Sequence, residues 1–379
     1  MDARAGLRNG VTASWPIDEM GPASVLFTRL PHGAESVVVI DNTALGPAIG
    51  GVRMSSSVSP TEVARLARAM TVKNAVAGLP HGGAKAGINV PVDLDAAARE
   101  GVIRAFARAI EHLVAYIPGP DMGTDETAMA WVRDEIGRAA GLPAVLGGIP
   151  LNELGATGLG LGVCAETLQD AGVLKLDGAR VVVQGFGAVG RHAARELAAR
   201  GARVVAVADS GGATLAPDGL DVAALIAFKR EGPRRRSVVE FPGGQPLSRD
   251  DALWLSCDIV VPAAQANAVT ADTVERLQAE VVLQGANIPI TAAAEAELAR
   301  RGVLCVPDVV ANAGGVICAS VEYVGGDWEK AREAIETKIR ANSLEMVDRM
   351  RVGDMGPRRA VEQMARERID AAESYRRRF

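Results

Sequence analysis

Apolar positions along this chain follow two rhythms. In the first third, runs at 24–30 and 36–41, the second continuous and β-branched, predict strands. From Ser59 the period becomes helical. Val63, Leu66, Ala67, Met70 and Ala77 share one stripe; Ser59 fits the N-cap, Pro60 the first helical position and Glu62 the third position of a capping box. Lys73 falls on that apolar stripe, three residues after Met70, and is predicted to point inward. Lys85 follows Gly82-Gly83, read as a tight turn, and precedes the apolar run 86–90, read as a strand. Helices are predicted over 93–116 and 126–140, with the loop IPGPDMGTDET between them. Residues 141–155 are rich in glycine and proline and read as a hinge.

From residue 180 onward, β-branched runs alternate with helical stretches. Strands are predicted at 180–184, 203–208, 258–261, 281–284 and 303–306. Helices are predicted at 189–200, 220–229, 271–280 and 292–301, with a polar excursion over 231–250 and a charged helical remainder over 328–350 and 358–379. Continuous apolar strands separated by helices indicate a parallel sheet covered on both faces. The expected fold is α/β in two domains: an α/β domain over 1–145 and a doubly wound domain over 146–325. A C-terminal helical tail, 326–379, is expected to pack back on the first domain.

Bulk composition narrows the function. A length of 379 residues suits two domains, and 48% hydrophobic with 23% charged residues is globular. Aromatic content of 3% leaves few platforms for stacking bases, and a net charge of −5 gives no basic field for a polyanion. Arg234-Arg235-Arg236 and Arg376-Arg377-Arg378 are short enough to be a solvated loop and a helix-end tail. Cys164, Cys257, Cys305 and Cys318 form no C-x-x-C pair and read as buried apolar residues of a reducing compartment. The histidines lack metal-ligand spacing. With no signal-peptide or membrane-length apolar run, a soluble cytoplasmic protein without metal, membrane or nucleic-acid partner is expected.

The strongest chemical signal is RVVVQGFGAVGRHAARELAARGARVVAVAD. Gly185, Gly187 and Gly190 form G-x-G-x-x-G between a strand and a helix, and Asp209 ends the next strand. The glycines allow a tight turn and close backbone approach, and the helix N-terminus suits a pyrophosphate. An acid at that strand end accepts a ribose 2′-hydroxyl and repels a 2′-phosphate, which predicts NAD rather than NADP. Two inward cations, Lys73 and Lys85, repel and desolvate one another, as at an anion site or a general base. Otherwise their stems lie along apolar surface with the ammonium groups in water. Asp121 is a proton relay if it stands near them, or else a turn residue. Asn287 and Asn312 follow two late strands and either orient a nicotinamide or serve as turn residues.

DNTALGPAIGGVRM, MTVKNAVAGLPHGGAKAGI, PGPDMGTDE, QGFGAVG, VVLQGANIPIT and PDVVANAGGV stand in the order of the glutamate/leucine/phenylalanine/valine dehydrogenase family, which the chain resembles from about 41 to 322. The resemblance implies NAD(P)-dependent oxidative deamination of an L-amino acid, with a substrate-binding and oligomerising first domain, a Rossmann second domain and a homo-oligomer. It implies Lys85 as catalytic base, Asp121 in proton transfer and Lys73 on the substrate α-carboxylate. Gly50, Gly51, Ile49, Ala319 and Asn287 would meet the substrate. Gly185, Phe186, Gly187, Ala188, Val189, Gly190, Asp209, Thr157, Asn287 and Asn312 would meet the cofactor. Glutamate-specific members resemble GPxKGGxR; here Ile49 stands in the place of that lysine and Ala319 in the place of a serine. A buried carboxylate beside them would cost several kcal/mol, so an apolar amino acid of the leucine, valine or phenylalanine kind is expected. The segment VADSGGATLAPDGLDV resembles the glutamate branch instead. The alternatives are a glutamate dehydrogenase with another cation in its pocket and a catalytically idle NAD-binding regulatory subunit.

Overall fold

The β-branched run Glu35–Asn42 and the glycine-rich run Gly82–Asn89 lie side by side at the centre of a sheet in a computed structural model that describes residues 18–91, 94–231 and 236–375. Described residues up to Pro150, together with Val316–Ala331 and the stretch from Met364, form one compact unit. Leu151–Gly315 and Arg332–Gln363 form the other. Described residues from 316 onward are thus divided between the two units.

The first unit holds β1 (Ser24–Arg29), β2 (Glu35–Asn42), β3 (Ala48–Ser55), β4 (Gly82–Asn89) and β5 (Tyr116–Pro120), in the order β1-β2-β4-β3-β5. Pairs β1–β2 and β2–β4 are antiparallel, whereas β3 runs parallel to β4 and β5. Gly82 and Gly83 are not a turn; they begin β4. Their reason is close packing, since a Cβ at Gly83 would stand 2.0 Å from the Thr71 backbone nitrogen and one at Gly87 2.7 Å from Val63. The helix Pro60–Val76 thus presses onto this face. On the other face Ala84, Ala86 and Ile88 join Val102, Ile103 and Phe106 of the helix Ala96–Ala109 in the main core. That helix stops well short of the expected 116 and gives way to β5, because Tyr116 and Ile117 are buried in the sheet. Its expected start at Asp93 lies outside the described residues. The helix Glu126–Ile136 ends at Gly137, in the left-handed conformation typical of a C-terminal stop. Arg368 donates to the carbonyls of Ala75 and Val76, closing the other helix end.

The second unit holds β6 (Arg180–Gln184), β7 (Arg203–Asp209), β8 (Gly212–Leu215), β9 (Gln245–Leu247), β10 (Cys257–Pro262), β11 (Ala279–Leu283) and β12 (Leu304–Val306), in the order β12-β11-β10-β6-β7-β8-β9. Strands β12 to β7 are parallel, and β8 and β9 complete the edge antiparallel. The helix expected at 271–280 is only a short 3-10 turn, Val274–Arg276. Ala279 already belongs to β11, and Arg301 donates to the carbonyls of Val274 and Leu277 that a longer helix would have used. Arg358 binds Glu295 and Asp308 at 3.0 and 3.2 Å and anchors the start of the last helix, Pro357–Glu373, to this unit. All four cysteines are buried and free. Arg234, Arg235 and Arg376–Arg378 lie outside the described residues; Arg236 stacks over Phe228 at 4.7 Å.

Candidate active site

Strand alternation and register build a one-sided floor in the first unit. Ile49 pairs with Gly83 and Ile117, Gly51 with Gly119, and Arg53 with Gly87. Ile49, Gly51, Arg53, Lys85, Ile117 and Gly119 therefore share the sheet face that meets the helix Pro60–Val76. Gly119 leaves part of that floor bare, whereas the space over Gly51 is taken by Asp121 and Lys85. A Cβ at Gly51 would stand 2.8 Å from Asp121 Cβ and 3.3 Å from Lys85 Nζ, while one at Gly119 would meet only Ala140 O, at 3.9 Å. Gly50 faces the other way. Its Cβ would strike Ala84 O at 1.7 Å, so its smallness serves strand packing, and its carbonyl accepts from the Tyr116 hydroxyl at 3.0 Å.

One end of the floor is charged. Lys85 Nζ lies 2.7 Å from Asp121 Oδ2, and Lys85 is only 7% exposed. Burial pushes the Lys85 ammonium below its usual range despite the attraction of Asp121. Burial pushes the Asp121 carboxyl up, but the Lys85 ammonium and then Arg53 outweigh it and hold it below the usual carboxylate range. The Asp121 turn is braced by Thr124, whose Oγ1 accepts from Asp121 N at 2.9 Å and donates to Val52 O at 2.7 Å. Lys73 sits in the last turn of the helix Pro60–Val76 and is 8% exposed, as its place on the apolar stripe predicted. Ser59 caps that helix at Glu62 N, but the Glu62 carboxylate does not close the expected box; it accepts from Arg53 at 2.6 Å.

The other end is apolar. Ile49, Ile117 and Ala140 are buried together, and Ala319 packs against them. Sequence reading brought Ile49 and Ala319 forward but missed Ile117, Ala140, Arg53 and Glu62. Arg53 could have been found from alternation alone, being two residues beyond Gly51 on the same strand.

In the second unit, the strand order reverses between β6 and β10, the switch point where an open parallel sheet binds ligands at its carboxyl ends. Gly185 has φ +99°, and its Cβ would meet Ala264 N at 2.6 Å; one at Gly190 would stand 1.9 Å from Gly185 O. Gly187 differs, with nothing within 4 Å of its Cβ position, and it caps the helix Ala188–Ala198 without a side chain. Phe186 is buried, while Ala188 and Val189 open that helix. A dinucleotide fits here: an open backbone cradle stands before bare N–H groups, and two buried acceptors, Gln184 Oε1 and Asn312 Oδ1, have no partner. Asn312 also donates to Asn287 at 3.4 Å. Thr157 is the second residue of the helix Ala156–Asp170, with its Oγ1 3.1 Å from a Cβ at Gly315. Asp209 accepts from Lys229, from Ser237 Oγ at 2.7 Å and from the nitrogens of Gly211 and Val238 at 2.9 and 3.0 Å. Burial raises its carboxyl, yet these donors, Lys229 first, hold it below the usual range. No group of three or more His, Cys, Asp or Glu among the described residues could hold a metal ion, and none of their helices is long and apolar enough to cross a membrane.

A βαβ glycine turn that suits a dinucleotide in one unit and a buried lysine–aspartate pair in the other are both features that an oxidoreductase of the amino-acid dehydrogenase class needs. Residues 24–138 match the dimerisation domain of the Glu/Leu/Phe/Val dehydrogenases and residues 147–377 the Glutamate/Leucine/Phenylalanine/Valine dehydrogenase model, so the chain belongs to that family. It is 38% identical to a glutamate dehydrogenase of Aeropyrum pernix over 325 residues, 81% of this chain and 77% of that one. The hetero-hexameric glutamate dehydrogenase of Thermus thermophilus in its Leu-bound form superposes with a TM-score of 0.80 at 33% identity, covering 94% of this chain and 89% of that one. The L-tryptophan dehydrogenase of Nostoc punctiforme gives 0.71 at 25% identity, covering 94% and 98%. The family uses nicotinamide dinucleotides and acts on the CH–NH2 group of amino acids.

Proposed function

We propose that this protein catalyses the reversible, NAD-dependent oxidative deamination of an apolar L-amino acid to its 2-oxo acid and ammonia. The observation that carries this reading is the divided floor of the first unit. Its charged end offers Lys85 and Asp121 2.7 Å apart, its apolar end offers Ile49, Ile117, Ala140 and Ala319, and glycine lies between. An amino acid with an apolar side chain has the same division. The relatives named glutamate dehydrogenase favour 2-oxoglutarate as the competing substrate. Against it, a distal carboxylate beside Ile49 and Ala319 would be buried without a cation at a cost of several kcal/mol.

Lys73 pairs with the substrate α-carboxylate. Gly185, Gly187, Gly190, Asn287, Asn312 and Asp209 hold the dinucleotide, which when bound supplies the hydride acceptor. Loss of hydride from the α-carbon leaves the substrate as an imine. Lys85, uncharged, takes a proton from the water that adds to the imine carbon. Asp121, holding the proton it took from the substrate ammonium before hydride loss, passes that proton to the nitrogen and accepts the hydroxyl proton of the water adduct as the C–N bond breaks, so that ammonia leaves the 2-oxo acid. Asp209 accepts the ribose hydroxyls and disfavours a 2′-phosphate, an effect that Lys229 weakens. The match to a dimerisation domain supports an oligomer formed through the first unit, read here as a homo-oligomer, although the Thermus thermophilus relative is a hetero-hexamer.

NADH oxidation with ammonia and a panel of 2-oxo acids tests the reading: 4-methyl-2-oxopentanoate, 3-methyl-2-oxobutanoate, phenylpyruvate, indolepyruvate and 2-oxoglutarate. An apolar oxo acid is expected to win by tenfold or more, about 1.4 kcal/mol in transition-state binding. Preference for 2-oxoglutarate refutes the substrate, and NADH binding without turnover on any member refutes the activity.

A further inference from the structure

The Lys85–Asp121 pair is one half of a longer chain of charges. Asp121 Oδ2, which takes Lys85 Nζ, also accepts from Arg53 Nε at 3.1 Å. Arg53 gives its other arm to Glu62 Oε1 at 2.6 Å. The row Lys85, Asp121, Arg53, Glu62 alternates in sign and grows more exposed toward its end, from a buried Lys85 through Arg53 at 17% to Glu62 at 31%. The four residues come from β4, the turn after β5, β3 and the first turn of the helix Pro60–Val76. They are not neighbours in sequence, and only register brings them together.

This arrangement resolves a conflict in the proposed chemistry. A general base must be uncharged to accept a proton, but a carboxylate 2.7 Å away favours the charged lysine. A second cation on the same carboxylate oxygen opposes that preference, repelling the ammonium and drawing off the carboxylate's charge. A second carboxylate behind that cation moderates it. We propose that Arg53 is a positioning residue for the Lys85–Asp121 pair, sharing the Asp121 oxygen so that Lys85 can release its proton, and that Glu62 sets how strongly Arg53 acts. The proposal rests on the reading of Lys85 as the base. Burial is the main influence lowering Lys85; Asp121 and Glu62 resist it and Arg53 adds to it. Tyr116 on β5, which burial holds protonated, is the other titratable group that senses Asp121.

The test compares Arg53→Met, Glu62→Gln and Arg53→Lys with the wild type. The first readout is the acid limb of the pH profile of kcat/KM for oxidative deamination, which reports groups of the free enzyme. The second needs no turnover. The chain has six lysines (Lys73, Lys85, Lys175, Lys229, Lys330 and Lys338), few enough for competitive acetic anhydride labelling to follow Lys85 by peptide mass against pH. Arg53→Met is expected to move both readouts to higher pH by about one unit. Glu62→Gln moves them to lower pH, and Arg53→Lys restores part of the wild-type position. A shared direction of shift, or no shift in folded Arg53→Met and Glu62→Gln proteins, overturns the proposal. Should Arg53→Met not fold, the downward shift in Glu62→Gln still decides. Labelling that shifts as expected in a protein inert toward every oxo acid would uphold the charge relay and refute the activity.

Discussion

Gly187→Ala separates a glycine kept for a ligand from glycines kept for packing. Gly187 has φ −90° and ψ −151°, an extended conformation open to alanine, and no protein atom lies within 4 Å of the new methyl. Losing glycine at an N-cap costs roughly 0.5 kcal/mol, and stiffening the unfolded chain returns about as much. Stability should therefore change little, with Tm moving by less than about 2 °C. The methyl would stand where a pyrophosphate approaches the backbone. Pushing that anion back breaks one or two charged hydrogen bonds of about 1.5 kcal/mol each, or roughly 10- to 150-fold in Kd. Gly190→Ala is the control: its methyl would lie 1.9 Å from Gly185 O, so overpacking costs about 1–3 kcal/mol and binding and stability fall together. NADH fluorescence titration and thermal unfolding measure the two quantities. If Gly187→Ala binds NADH within twofold of the wild type, the pyrophosphate does not rest on this turn and the cofactor geometry is wrong.

Three further outcomes are expected. Ile49→Lys, read in the oxo-acid panel, raises the ratio of 2-oxoglutarate to apolar oxo-acid activity by tenfold or more, because it supplies the missing cation; an unchanged ratio removes Ile49 from the side-chain pocket. Lys229→Ala leaves the Asp209 carboxylate less neutralised and widens the NADH-over-NADPH preference in binding titrations, whereas Asp209→Ala narrows it; shifts of the opposite sign refute the ribose role. His192 is buried with neither ring nitrogen partnered, and burial, followed by Arg195, Arg191 and Arg230, pulls it down to about 4. Its unfolded form binds a proton near pH 6.5, so stability is full above that value and is lost as pH falls toward 4. The loss between pH 7 and pH 5 is about 2 kcal/mol in urea unfolding, and His192→Leu flattens it.

The dinucleotide half was legible in the chain because its pieces are contiguous. Arg180–Asp209 carries strand, glycine turn, helix, strand and acid in one stretch, and each step has its own local pattern: buried β-branched runs, glycines where backbone must approach, a helical period between. The predicted helix at 271–280 failed because its propensity yielded to the sheet, which claims Ala279 onward for β11. In the first unit the inward lysine Lys73 was visible, since a helical stripe needs no partner to be read. Strands β3 and β5 were not, because AIGGVRMS and YIPGP carry glycine and proline instead of a strand pattern and are extended only through bonds to their neighbours. The site depends on those two strands. Register alone brings Gly51 beside Lys85, brings Arg53 to an Asp121 carboxylate 68 residues away in sequence, and gathers Ile117 and Ala140 around Ile49. Sequence by itself determined which residues could do chemistry, because charge, size and local period are properties of the chain; tertiary structure decided which of them meet, because hydrogen-bonded register between distant strands is written in no single segment.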